Sequence, residues 1–259
     1  MSHAGGVQHR GLGGEGVKMP AAVAATGATP PDMPLSGHLL TFFFTCVTDL
    51  ALIPPLIVMM RFRRHFEIYV GVVMLVSAFA YNFLDAMNRG DADEKSWSLL
   101  IEEEEWHRIS NVSTTTYICL LFIHLMMIED EYVNVVLRYA AASLVLIAQV
   151  KDGFWMQETC YTIYVVVAFA LSLGGRYAAD GQMPVFLSSS NLLRGLVLGL
   201  AAGICFYFGL DDNADEFRFA HGLSHLFGGI ALTFLWNLVP RPKRKKGDEP
   251  PLRKPAAFV

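Results

Sequence analysis

Seven apolar runs, each about 20 residues long, restrict what this chain can fold into. They lie at Leu39–Met60, Phe66–Met87, Val112–Ile128, Val133–Val150, Trp155–Leu173, Leu192–Leu210 and Phe219–Val239. A helix of about 20 apolar residues crosses the ~30 Å hydrocarbon layer of a bilayer. The runs are too long for barrel strands and do not alternate polar with apolar residues, so helices are the spanning form expected. The fold class is therefore all-α, a seven-transmembrane helix bundle over residues 38–239. A disordered tail (1–37), rich in Gly, Ala and Pro, is expected before it, and a basic cytoplasmic tail (240–259) after it. Pro54-Pro55 predicts a kink near the end of the first helix.

Composition agrees with a membrane protein. Of the 259 residues, 53% are hydrophobic and only 17% are charged, against about a quarter charged in soluble domains. The net charge of −4 gives no electrostatic case for nucleic acid. No Gly-rich phosphate loop or tandem repeat is present. The tail before Leu39 lacks the apolar core of a signal peptide, and Arg10 and Lys18 are too few to argue for a transit peptide. Cys46, Cys119, Cys160 and Cys205 each fall inside an apolar run, with no disulfide or zinc-ribbon spacing; core or lipid-facing thiols are expected.

Orientation follows from Lys and Arg. With the N-terminus outside and the C-terminus cytoplasmic, the inner side receives 13 of the 20 basic residues: Arg61, Arg63, Arg64, Arg138, Arg176, Arg194, Arg241, Lys243, Arg244, Lys245, Lys246, Arg253 and Lys254. The outer loops are then the acidic ones, Asp91 to Glu105 and Asp211 to Glu216. The basic tail has a partner in the anionic inner leaflet, each Lys or Arg contributing about 1 kcal/mol. The expected location is an integral, multi-pass one, in the plasma membrane or a secretory-pathway membrane, with membrane lipids and a membrane protein as candidate partners.

This orientation brings polar groups to one depth. His221 and His225, four residues apart, share a face of the seventh helix. Ser77, Tyr81 and Asp85 share a face of the second. At 1.5 Å per residue, Asp85 lies about 4–5 Å below Asn88 and Tyr81 about 10 Å below it, near the levels of His221 and His225. The third helix adds Trp106-His107-Arg108-Ile109-Ser110-Asn111. Ionisable groups inside a membrane are costly and usually functional. Two His at i, i+4 with a carboxylate from elsewhere match a zinc site with an open position. Such a metal lowers the pKa of its bound water towards about 7 and generates hydroxide. The alternative is a histidine pair bonded to itself or to Ser and Tyr.

Several other features have plainer readings. Glu102 to Glu105 read as a solvated charged face, and Asn111-Val-Ser113 as a sequon placed in helix. Asp49 and Glu158 read as groups paired with a Thr or Tyr inside the bundle, with a proton or ion pathway as the alternative. Gly195, Gly199 and Gly203 mark a close-packing face of the sixth helix. No Lys lies in the seventh, which argues against a retinal protein.

A Ser in helix two and His-x-x-x-His in helix seven resemble the CREST superfamily, which includes alkaline ceramidases, progestin and adipoQ receptors and lipid remodelling enzymes of GPI anchors. The chain is most similar to the myomaker-like branch, through Tyr81-Asn82 where that branch has Tyr-His, through Trp106-His107-Arg108-Ile109-Ser110-Asn111, and through His221 and His225. The resemblance covers all seven helices. It implies a zinc held by three histidines, with a Ser and an Asp, cleaving an amide or ester bond of a lipid. Ser77, His221 and His225 match that set. The helix-two histidine does not, because positions 81 and 82 are Tyr81 and Asn82; Ser110 stands where the Asp is expected. Losing a ligand and the orienting carboxylate weakens both metal binding and acid–base chemistry. The first expectation is thus a non-catalytic lipid- or partner-binding protein with a degenerate metal site. The second is a zinc hydrolase in which Asp85 substitutes as ligand beside His221 and His225, with Ser77 and Asp85 as catalytic groups; His107 or His124 are further substitutes.

Overall fold

The computed structural model describes residues 35–88, 98–149, 184–209 and 217–240, with Asp215 and short pieces between 166 and 181. Residues 1–34 and 241–259, on which almost all of the two expected tails fall, lie outside the described residues, as do Cys160, Glu158 and most of the expected helix Trp155–Leu173.

The chain is built of helices. The first, Leu35–Arg61, is not uniform. It begins as α1 (Leu35–Phe42), passes through a π turn (Phe43–Val47) and a 3-10 turn (Thr48–Leu52), and resumes as α2 (Ile53–Arg61). Then come α3 (His65–Asn88), α4 (Glu103–Leu125), α5 (Glu131–Gln149), α6 (Ser190–Phe208) and α7 (Phe219–Trp236). Four helices among the described residues are long and apolar enough to cross a membrane: Leu35–Arg61, α3, α6 and α7.

Helix ends differ from the sequence expectation in instructive ways. α4 starts at Glu103, nine residues before the apolar run at Val112: in its first turns Glu104, Glu105 and Arg108 are exposed, the arginine pairing with both glutamates, while His107 and Ser110 face the bundle. Three glutamates in its first turn suit the positive end of the helix dipole. The distortion of the first helix lies ahead of Pro54-Pro55, not at them. The prolines sit at the start of α2, directly after the 3-10 turn.

The core joins α2, α3, α4 and α7. It centres on Leu56, Met59, Met74, Tyr117, Leu120, Leu121 and Trp236. α7 packs along α6 on one side and along the first helix on the other. α6 leaves Leu193, Leu196, Val197, Leu200, Ile204, Tyr207 and Phe208 exposed, the apolar face a lipid-contacting helix carries. Cys46 and Cys119 are buried free thiols and Cys205 a partly exposed one.

Candidate functional site

The deformed stretch of the first helix positions the central group of the site. Thr45 donates its hydroxyl to the Thr41 carbonyl at 2.8 Å, and Thr48 to those of Phe44 and Thr45 at 2.6 and 2.8 Å. Such back-bonding competes with the regular ladder and bends helices. Pro55 has no N–H to offer Ala51, four residues back. The π and 3-10 turns lie between these points, and they turn Asp49 into the bundle, where it is fully buried.

Close approach of α7 completes the geometry. A Cβ at Gly222 would collide with the Phe44 carbonyl, and one at Gly229 with that of Ala51. Only glycine lets α7 lie against the backbone of the deformed segment. At that contact Asp49 Oδ1 is hydrogen-bonded to His225 Nδ1. Its Oδ2 accepts from Asn82 Nδ2 of α3 at 2.8 Å. One carboxylate therefore ties the first helix, α3 and α7 together. The Thr or Tyr partner expected for Asp49 is replaced by a histidine and an amide.

The other polar groups gather at the same end of the bundle, where α3 and α6 finish and α4 and α7 begin. The His221 and His225 rings are 4.7 Å apart. Asp215 caps α7, accepting from the backbone N–H of Ala220 at 3.1 Å and of His221 at 2.9 Å. The Tyr81 ring stacks on His107 at 4.4 Å. Arg218, held at a left-handed φ of 56° just before α7, donates from Nε to Asp85 Oδ2 at 3.2 Å and from Nη1 to the Gly209 carbonyl at 3.1 Å.

These groups border a cavity of about 640 Å³. Tyr81, His107, Ser110, Arg218, His221 and His225 line its polar end; Met74, Leu121, Phe122, Leu232 and Leu235 line the rest. Of the layer expected from helix depth, Tyr81, Ser110, His221 and His225 border this space, while Ser77 and Asp85 do not line it. Gly199, Gly203 and Gly228 form part of its wall. Of the three glycines expected to pack a helix face, only Gly195 does so, against Leu235; a Cβ at Gly199 or Gly203 would meet nothing within 4 Å.

The residues expected to act with the histidines are distributed differently. Ser77 is buried, bonding the Val73 and Met74 carbonyls at 2.7 and 3.2 Å, with Ser113 Oγ at 3.5 Å; it does not line the cavity. Asp85 pairs with Arg218, and the carboxylate that reaches the histidine pair is Asp49. His124 bonds Glu67, away from the cavity.

The donor set does not fit zinc in this arrangement. Asp85 is committed to Arg218, and the Arg218 guanidinium lines the same space as the histidine pair, where it disfavours a second cation. Among the described residues no three His, Cys, Asp or Glu side chains converge as a metal site.

Asp49, expected inside the bundle with a Thr or Tyr partner, joins the site instead through His225. Arg218, for which the sequence carried no expectation, and Asp215, expected only as part of an acidic outer loop, join it as well. Asp215 alone carried a local signal, an acid just ahead of a helix start. No curated protein matches the chain. A family described as "Protein of unknown function (DUF3522)" matches residues 37–226, which span the site from the first helix to His225. The chain belongs to that family.

Proposed function

We propose that this protein is a non-catalytic lipid-binding membrane protein on a CREST-like, myomaker-like scaffold. It spans the bilayer seven times, N-terminus outside and C-terminus cytoplasmic, and takes one amphipathic lipid into the cavity among α3, α4, α6 and α7. The observation that carries this reading is the division of the cavity. Its polar groups lie at one end of the bundle, and its deeper wall is apolar and partly glycine. A lipid's polar group and chain match that division, and the volume falls in the 300–1,000 Å³ range of small-molecule sites. The basic residues after Pro240 suit an anionic inner leaflet, which would put the polar end of the cavity in the outer half of the plasma membrane or a secretory-pathway membrane.

The test is native mass spectrometry of the purified full chain released from lipid nanodiscs. One lipid adduct per chain is expected, and Gly203→Leu, which adds bulk to the cavity wall from a Cβ that meets no described atom within 4 Å, should remove it. An adduct pattern that is the same in both proteins would defeat the proposal.

One observation favours a second reading. A carboxylate on Nδ1 of a histidine is also the arrangement that orients metal-bound imidazoles. Asp49 stands so to His225. In this reading the protein is a zinc-dependent membrane hydrolase acting on an amide or ester bond of a lipid. His221 and His225 are its ligands, and a third ligand reaches the metal only after a rearrangement of Asp85 or His107.

A further inference from the structure

A second polar group is buried at the opposite end of the bundle, and none of its members lines the cavity. Glu67, in the first turn of α3, is 1% exposed. Its Oε1 accepts from His124 Nε2 and from Arg138 Nη1, each at 2.7 Å. Arg138 also lies 3.4 Å from Glu131 Oε1 and donates from Nε to the Asn134 carbonyl at 3.4 Å. Three helices, α3, α4 and α5, thus meet on one carboxylate oxygen.

The groups around that pairing are left over. Glu67 Oε2, the Tyr117 hydroxyl and Trp236 Nε1, like Arg64 Nε and Asn134 Oδ1 on the Arg138 side of the pairing, are buried and have no hydrogen-bond partner among the described residues. Tyr117 and Trp236 are both fully buried. Their rings are 5.3 Å apart, and the Trp236 ring is 5.8 Å from that of His124. Tyr117 and His124, seven apart, share one face of α4. The edge of the Tyr117 ring lies against Gly71, one turn along α3 from Glu67. The Glu67, Tyr117 and Trp236 groups therefore border one region between α3, α4 and α7.

Buried polar groups in folded proteins are almost always satisfied, by protein or by ordered water. Here two donors (the Tyr117 O–H and the Trp236 N–H) and one acceptor (Glu67 Oε2) are involved. An anion placed among them meets the Glu67 carboxylate, and a cation meets Arg138. The complementary ligand is small, neutral and able both to donate and to accept. We propose that this region is an internal water-binding site, separate from the cavity, through which Glu67, Tyr117 and Trp236 are hydrogen-bonded and α7 is joined to the α3–α4–α5 ion-pair network.

Two measurements on the purified full chain in nanodiscs test it. Radiolytic hydroxyl labelling modifies buried side chains only beside bound water. Each rate being normalised to that of the unfolded chain, Trp236 and Tyr117 should be oxidised several-fold faster than fully buried Leu84, which lies near the other end of α3 and serves as the dry control. Labelling of both at or below the Leu84 rate would overturn the proposal. Tyr117→Phe removes only the hydroxyl. If water bridges it, a hydrogen bond is lost, so Tm should fall by a few degrees and labelling of Trp236 should decrease. If the hydroxyl is dry, its removal relieves an unsatisfied group. A Tm equal to or above that of the wild type would therefore also overturn the proposal.

Discussion

Asp49→Ala is the perturbation that follows most directly from the geometry. The substitution removes a fully buried carboxylate that accepts one hydrogen bond from His225 and one from Asn82. Hydrogen bonds to a charged group contribute about 1.5–3 kcal/mol each. Removing one member of a buried charged pair costs about 3–5 kcal/mol, because the partners stay buried and unpaired. The two routes agree on a loss of about 3–5 kcal/mol. Reversible unfolding in mixed micelles, followed by helix content, measures it. A cycle with His225→Ala separates the pair from the rest. The double variant should be less destabilised than the sum of the singles by about 1.5–3 kcal/mol, because once Asp49 is gone the imidazole has no carboxylate to lose. Asp49→Asn, which keeps an acceptor oxygen, should fall between wild type and Asp49→Ala. A loss in Asp49→Ala below about 0.5 kcal/mol, the scale of a surface substitution, together with no coupling to His225, would refute the role given to this carboxylate.

Gly222→Ala places a methyl on the Phe44 carbonyl, so the deformed segment must retreat from α7; a loss of about 1–3 kcal/mol is expected in the same unfolding assay. Gly203→Leu places its Cβ where no described atom lies within 4 Å, so stability should be held within about 0.5 kcal/mol while lipid is lost in native mass spectrometry. Arg218→Gln leaves Asp85 buried without its guanidinium and should cost about 3 kcal/mol or more, with Arg218→Gln/Asp85→Asn recovering part of it by thermal unfolding.

Much of this architecture is legible in the amino-acid order. Apolar runs long enough to cross a bilayer place α3, α6 and α7 to within a few residues. Helical spacing also groups part of the polar layer, with Ser77 and Asp85 falling outside the cavity lining. Tyr81, Ser110, His221 and His225 come from three helices, yet their depth along each helix brings them to one cavity. The partners of those residues were not legible. Asp49 lies 176 positions from His225, and Asp85 lies 133 from Arg218. No periodicity links such pairs. The first helix also changes its own period at Phe43–Leu52, so the face Asp49 presents cannot be read from a regular 3.6-residue wheel. The glycines behave alike in sequence and differently in space. Gly195 meets Leu235, Gly222 meets a carbonyl, and Gly199 and Gly203 open onto the cavity. Only the packing of neighbouring helices decides among those roles. Pro54-Pro55 shows the same limit, since the proline pair begins a regular segment and the threonines ahead of it coincide with the distortion.

In the proposed lipid-binding reading, the histidine pair is held by the Asp49 carboxylate beside the cavity and binds no metal. Metal analysis of the purified full chain, with His221→Ala alongside, tests it most directly. The account predicts zinc well below one equivalent per chain in both proteins. One zinc per chain in the wild type, lost in His221→Ala, would contradict it and establish the hydrolase reading's metal site instead.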